Sequence, residues 1–268
     1  VIVLPADAVP GTLAKDYYNI KSDYVLEVDI TPNRADACSH YGVARDLYAY
    51  LVQNNKPTSL KKPSVDAFAI ENHDLDINVT VENSEACPRY AGVTVKGVTV
   101  KESPEWLQNK LRIIGLRPIN NVVDITNYIV HAFGQPLHCF DADKIKGGEV
   151  VVKTMPEGTP FVTLDGVERK LSDRDLMICD TEKPMCIAGV FGGLDSGSTE
   201  TTKDVFIESA YFHPTWVRKT ARRHGLNTDA SFRFERGIDP NITIYCLKLA
   251  AMMVKELAGG TLSSEVKD

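Results

Sequence analysis

The sequence predicts an α+β fold, a mixed layered α/β body with a small strand–helix appendage at its N-terminus. Three observations carry this. Short β-rich runs follow one another between residues 75 and 209 with the helical patterns set apart, unlike the alternation of a regular βαβ array. The helical patterns stop at glycines, as helices commonly do. Between them and the N-terminal part lies Asn54–Asp74, with Pro57, Pro63, several lysines and little periodicity, which reads as a linker. The predicted units are residues 1–70 and 71–268.

In order along the chain, residues 1–23 are rich in Pro, Gly and small residues and read as an extended lead-in. Tyr24–Ile30 alternates as a strand would, and Thr31-Pro32-Asn33-Arg34 is turn chemistry. Ala37–Gln53 carries Val43, Leu47 and Leu51 at helical spacing. Beyond the linker, Leu75–Val81 and Tyr90–Val100 are rich in β-branched residues and predict strands. Pro104–Ile114 predicts a helix with Ser103 as its cap. Asn121–Phe133 places Val122, Ile125, Ile129 and Phe133 three and four residues apart, a second helix ending at Gly134. Glu149–Thr154, Phe161–Leu164, Asp175–Cys179, Met185–Val190 and Asp204–Ser209 predict short strands, with Asp165-Gly166 as a hairpin turn. Pro214–His224 predicts a helix stopped by Gly225, and Asn241–Leu257 a last helix stopped by Gly259-Gly260.

The 268 residues, 43% of them hydrophobic, suffice for a core without disulfide or metal staples. No apolar run reaches the roughly 18 residues a membrane span needs, and no basic segment leads into an apolar one at the N-terminus. A cytoplasmic protein without a membrane partner is expected. Six scattered cysteines with no CxxC pair read as free thiols rather than metal ligands or disulfides. A net charge of −6 excludes a generic polyanion binder. Any contact with nucleic acid must come from a local patch, and Arg218, Lys219, Arg222, Arg223 and His224 form the one candidate.

Four segments could carry chemistry. Gly134–Asp141 follows a helix end as a loop that could present His138 to a pocket; the other reading is a structural histidine bonded to a carbonyl or to Asp141. Cys139 beside it invites a Cys/His dyad, but adjacent residues rarely face each other, so a thiol nucleophile is discounted. Gly189–Gly197 lacks the P-loop lysine and the GxGxxG spacing, so its glycines either let a ligand approach the backbone or simply make a bulge. Glu208 lies in a strand that otherwise reads as buried, where a carboxylate needs a partner or a function. Ile207 points to the opposite face, so Glu208 is aimed at a cavity or at solvent. On the helix 214–224, Arg218 and Arg222 share one face and Lys219 and Arg223 the next. That density suits phosphates, and equally a solvated helix with ion pairs to Asp229 or Glu235.

In order, these segments resemble the β subunit of bacterial phenylalanyl-tRNA synthetase. Leu26–Asp36 with Ser39-His40 resembles the end of its first domain. Asn120–Tyr128 followed by Gln135-Pro136-Leu137-His138 resembles the start of its editing site. Gly189–Gly193, Glu208, Ala221–Gly225 and Thr228–Ser231 resemble the rest. The resemblance implies a B3/B4-like editing domain that hydrolyses tyrosine wrongly attached to phenylalanine tRNA. It implies a pocket of Thr126, Asn127, His138, Ala188, Gly189, Gly192, Glu208, Thr228 and Ala230. Glu208 would accept from the tyrosine hydroxyl. His138 would sit at the scissile ester, with Thr126 and Asn127 beside the reaction, and Gly192 and Ala230 would leave room for substrate. Arg218, Lys219, Arg222 and Arg223 would meet RNA. The implied partners are tRNA(Phe), tyrosine as editing ligand, and the α subunit of an (αβ)2 enzyme. No cofactor or metal is expected in this stretch; ATP and magnesium belong to the full synthetase.

Two positions depart from the family pattern. Cys139 stands where many relatives have alanine, and Phe232 where histidine is frequent. The opening residues leave no space for the oligonucleotide-binding domain inserted in family members, and the later domains that dock the α subunit lie outside this stretch. It is therefore expected neither to charge tRNA nor to bind ATP. The competing function is a non-catalytic RNA-binding or scaffolding module, which would bind tRNA in a salt-dependent way without hydrolysis.

Overall fold

The structure, a computed structural model, describes residues 2–18, 20 and 24–268. The lead-in expected over 1–23 falls partly on residues 1, 19 and 21–23, outside the described residues; within the rest, α1 (Ala14–Tyr17) is a single short turn. The strand expected at Tyr24–Ile30 does not form. Residues 24–30 carry no strand among the described residues, and Val25 and Leu26 are exposed, since alternation specifies a strand only where a neighbour buries one face. The helix of the appendage does form, as α2 (His40–Gln53), started by the Ser39 hydroxyl accepting from the Gly42 N–H.

The body is three layers deep. Its central sheet has the order β11 (Thr261–Leu262), β2 (Arg89–Lys96), β10 (Asp204–Tyr211), β3 (Leu137–Asp141), all antiparallel. One face packs on α3 (Glu105–Ile113), α4 (Asn121–Phe133) and α7 (Thr243–Ala258) through Val93, Val95, Val205, Ile207, Leu107, Ile125, Ile129 and Leu247. The other face packs on a second sheet of order β1 (Asn78–Val81), β4 (Glu149–Thr154), β7 (Leu176–Cys179), β8 (Pro184–Ile187), β9 (Phe191–Gly192), in which only β1–β4 is parallel. Tyr90, Phe140, Phe206 and Ala210 meet Ile178, Met185 and Ile187 between the sheets. A hairpin, β5 (Pro160–Val162) with β6 (Glu168–Lys170), stands beside β9. The helices α5 (Pro214–His224) and α6 (Asp229–Phe234) close the intersheet core with Val217, Ala221 and Phe234. Among the described residues no helix is long and apolar enough to cross a membrane.

Local chemistry explains the bounds that matched. Asn120 accepts from the N–H groups of Val122 and Val123, and Gly134 ends α4 at φ 80°, where glycine pays no Cβ penalty. Two further expectations are not met. Ser103 does not cap α3: Pro104 holds that position and the Ser103 hydroxyl donates to Asp124. Residues 137–141 are a strand, not a loop. The linker 54–74 lacks regular structure but is not free, because Val65, Phe68 and Ile70 pack on the helical face and the Glu71 N–H donates to the Leu262 carbonyl.

Candidate functional site

Three adjacent strands set the site. Glu208 on β10 stands opposite His138 on β3 and opposite Gly92 on β2. Side chains alternate along a strand, so Val205 and Ile207 go to the helices while Phe206, Glu208 and Ala210 go between the sheets. On β3, Cys139 takes the helical side and His138 and Phe140 the intersheet side, their rings 4.4 Å apart edge to face. A Cβ on Gly92 would lie 2.2 Å from Cζ of Phe206, so that ring leans over β2 in the place a side chain would take.

Glu208 is 5% exposed and its Oε2 accepts from the Tyr90 hydroxyl at 2.8 Å. Burial drives its carboxyl up to about 8, and the Tyr90 bond only partly opposes this; a carboxyl in an apolar site keeps its proton to avoid a buried charge. His138 is half-buried, yet its Nε2 is shielded from solvent and has no hydrogen-bond partner. Burial lowers the imidazole to about 4, so at neutral pH it is uncharged and free to donate or accept. Cys87 and Cys186 stand near enough that Glu208 adds to the effect of burial in raising both thiols.

Gly192 faces this pair. A Cβ there would be 3.2 Å from Cε1 of His138 and 2.9 Å from Cδ1 of Leu164, a half-exposed residue at the hairpin turn whose N–H donates to the Gly192 carbonyl. Gly189, at φ 67°, faces Phe212, Phe234 and Val217 instead, so its lack of a side chain serves packing as well as the turn. Ala188 is buried beside it. Thr228 caps α6 through a reciprocal bond pair with Ser231, and its hydroxyl donates to the Val190 carbonyl, which ties the Thr228–Ala230 wall to the glycine turn.

Of the expected pocket residues, His138, Gly192 and Glu208 converge, and Ala188, Gly189, Thr228 and Ala230 belong to the same intersheet core and its rim. Thr126 and Asn127 sit on α4, which covers the opposite face of the central sheet, and the Thr126 hydroxyl donates to the Val123 carbonyl. Two surface cavities, of about 200 and 320 Å³, are lined by neither His138 nor Glu208.

The basic helix divides in two. Asp175 is fully buried and accepts from Thr220, Arg223 and His224 and from the Ser172 N–H. Arg223, though exposed, and His224 are thus tied to Asp175, while the exposed Arg218, Lys219 and Arg222 form no ion pair among the described residues. Asp229 and Glu235, the expected ion-pair partners, pair with Arg233 and Arg236. Sequence reasoning missed Tyr90, Leu164 and Asp175. Tyr90 carried no signal, because its partner lies 118 residues away; Asp175 directly before an apolar strand was the visible hint of a buried carboxylate.

The layered α+β body thus holds in its intersheet seam an imidazole whose Nε2 has no partner, a buried carboxyl and a glycine. A family model described as the B3/4 domain matches residues 86–259, and the chain belongs to that family. Over its whole length the chain is 91% identical to the phenylalanine–tRNA ligase beta subunit of Bacteroides fragilis, covering 33% of that protein. It is 62% identical to that of Porphyromonas gingivalis over 97% of this chain and 32% of that one, and 44% identical to that of Carboxydothermus hydrogenoformans over 100% and 33%. The chain therefore spans about a third of the length of these relatives. Among solved structures, an N-terminal fragment of the phenylalanyl-tRNA synthetase beta subunit from Pyrococcus horikoshii aligns at 19% identity and TM-score 0.38, over 72% of this chain and 59% of that one.

Proposed function

We propose that this domain removes tyrosine wrongly esterified to phenylalanine tRNA, as the proofreading part of a longer synthetase subunit. The observation that carries the reading is the cross-strand pair His138–Glu208 facing Gly192. A synthetic pocket built for an apolar ring rejects an added hydroxyl poorly, by about a hundredfold in a comparable case. A second site with a buried acceptor inverts the preference: tyrosine satisfies the Glu208 carboxyl, and phenylalanine leaves an acceptor unpaired at a cost of about 1–3 kcal/mol. A protonated carboxyl still accepts at its carbonyl oxygen, so the raised value for Glu208 is compatible with the role.

The ester is already activated, and the chemistry needs a water placed against the carbonyl carbon. Water oxygen bonds to that carbon, the bond to the terminal ribose oxygen breaks, and the water proton ends on the ribose; the products are tyrosine and intact tRNA. The unpartnered Nε2 of His138 is suited to hold that water or the terminal adenosine. The half-exposed Leu164 is the side chain that must turn aside for a ring to reach Gly192. Ala188, Gly189, Thr228 and Ala230 are proposed as wall; Thr126 and Asn127, on α4 across the central sheet, are not part of it. Arg218, Lys219 and Arg222 are the free cations proposed for tRNA(Phe) phosphates. An α subunit, ATP, magnesium and a cytoplasmic setting belong, on this reading, to the full synthetase.

The test is deacylation of tyrosyl- and phenylalanyl-tRNA(Phe). Wild type is expected to prefer the tyrosyl ester, and Glu208→Ala to lose that preference by about tenfold or more. Unchanged discrimination in that variant would sink the role given to Glu208, and salt-dependent tRNA binding without any hydrolysis would favour a scaffolding module.

A further inference from the structure

The carboxyl that reads the substrate already holds a phenol. Tyr90 is 4% exposed, lies on β2 two residues before Gly92, and shares with Glu208 the intersheet face. Its hydroxyl is the one side-chain donor to Glu208 among the described residues. Gly92 directly opposite Glu208 offers nothing, and the space above it is taken by the Phe206 ring. His138, the neighbour on the other side, leaves Nε2 without a partner and so makes no bond to Glu208 through it.

A carboxyl group turns easily about its last torsion, where the energy wells are broad. Left alone in an apolar seam, it would present its oxygens over a wide arc. We infer that Tyr90 is a positioning residue of the proposed editing site: its phenol fixes Oε2 of Glu208 so that Oε1 is presented to the substrate hydroxyl. The inference rests on the editing reading and adds to it a specificity determinant that never touches the substrate. In its ionised form, which donors favour, the carboxyl then accepts two phenols, one built in and one brought by the ester. Selectivity comes from the second because the first is always satisfied. The groups facing the carboxyl are Tyr90 from β2, His138 from β3, Cys186 from β8, and Cys87 from the segment before β2.

Tyr90→Phe removes one oxygen and keeps the ring. The expected result is a rise of roughly tenfold in KM for tyrosyl-tRNA(Phe), with phenylalanyl-tRNA hydrolysis little changed and a modest fall in melting temperature from the buried acceptor left unpaired. In a Glu208→Ala background the same substitution is expected to change nothing further, because positioning has lost its object. An independent reading comes from carbon-13 NMR of the Glu208 carboxyl: its titration moves up in Tyr90→Phe and down when a fluorotyrosine, a stronger donor, replaces Tyr90. Full tyrosine discrimination in Tyr90→Phe, while Glu208→Ala loses it, overturns the inference and leaves the editing reading standing. If Tyr90→Phe fails to fold, an unmoved Glu208 titration in the fluorotyrosine protein overturns it. Absence of tyrosyl-ester hydrolysis by wild type overturns the underlying reading and the positioning role together.

Discussion

Glu208 and His138 face each other with opposite habits of ionisation, and both are uncharged near neutral pH. Their effects on stability have opposite signs. Unfolded Glu loses its proton near pH 4.3 while folded Glu208 keeps it to about 8, so this group weakens the fold as pH rises through that window. Unfolded His gains a proton below about 6.5 while folded His138 resists it to about 4, so its contribution is present above 6.5 and lost as pH falls. Between about pH 4.5 and 6.5 the two slopes oppose; above that, Glu208 acts alone. Glu208→Gln is therefore expected to be more stable than wild type near pH 7, by about 2–4 kcal/mol, with the gain vanishing toward pH 4. Melting curves from pH 4 to 9 check this, and a gain that persists unchanged at pH 4 contradicts the buried-carboxyl account. Glu208 was legible from the sequence because one polar residue interrupted an apolar strand. Tyr90 was not, since alternation gives the face of a residue and never its partner across the sheet.

Among the elements, α4 and α5 were legible to the residue because caps are local: Asn120 and Gly134 bound the first, Pro214 and Gly225 the second. β3 was hidden by Gln135-Pro136 ahead of it, although Leu137 and Cys139 against His138 and Phe140 do alternate. The strand expected at 24–30 alternates too and forms nothing, so tertiary pairing decides. α5 depends on a buried carboxylate that the sequence could not assign. Burial is the largest influence on Asp175 and pushes it up, but bonds from the Ser172 N–H, His224 and Thr220 outweigh it and hold it below the usual range. Its stabilising effect is present above the unfolded value near 3.9 and fades as pH falls through the lower folded value. Asp175→Asn is expected to cost about 3–5 kcal/mol, as when one partner of a buried pair is removed. It should loosen α5, visible as faster amide exchange over residues 214–224. Within the central sheet, Gly92→Ala drives a methyl into the Phe206 ring and is expected to cost about 1–3 kcal/mol in a denaturant titration.

At the scale of the molecule, Arg233 joins the appendage to the body. It is 8% exposed; its Nε donates to the Cys38 carbonyl and its Nη1 to Asp229, while His131 lies 3.3 Å from its Nη2. Arg233→Ala is expected to cost about 1–3 kcal/mol and to open residues 24–53 to protease while the fragment containing 86–259 resists; limited proteolysis with mass spectrometry reads this directly. The layer order was legible from the grouping of strands and helices, but the pairing was not, because the central strand joins segments far apart in sequence. That last feature has a cost in time. β2 finds both its neighbours, β10 and β11, only after residue 204. On a ribosome adding about 5–20 residues per second, its two edges stay open for several seconds while more than a hundred further residues are made. Such edges invite pairing between chains. Slower synthesis over residues 97–204 is then expected to lower the share of this chain that reaches its native state.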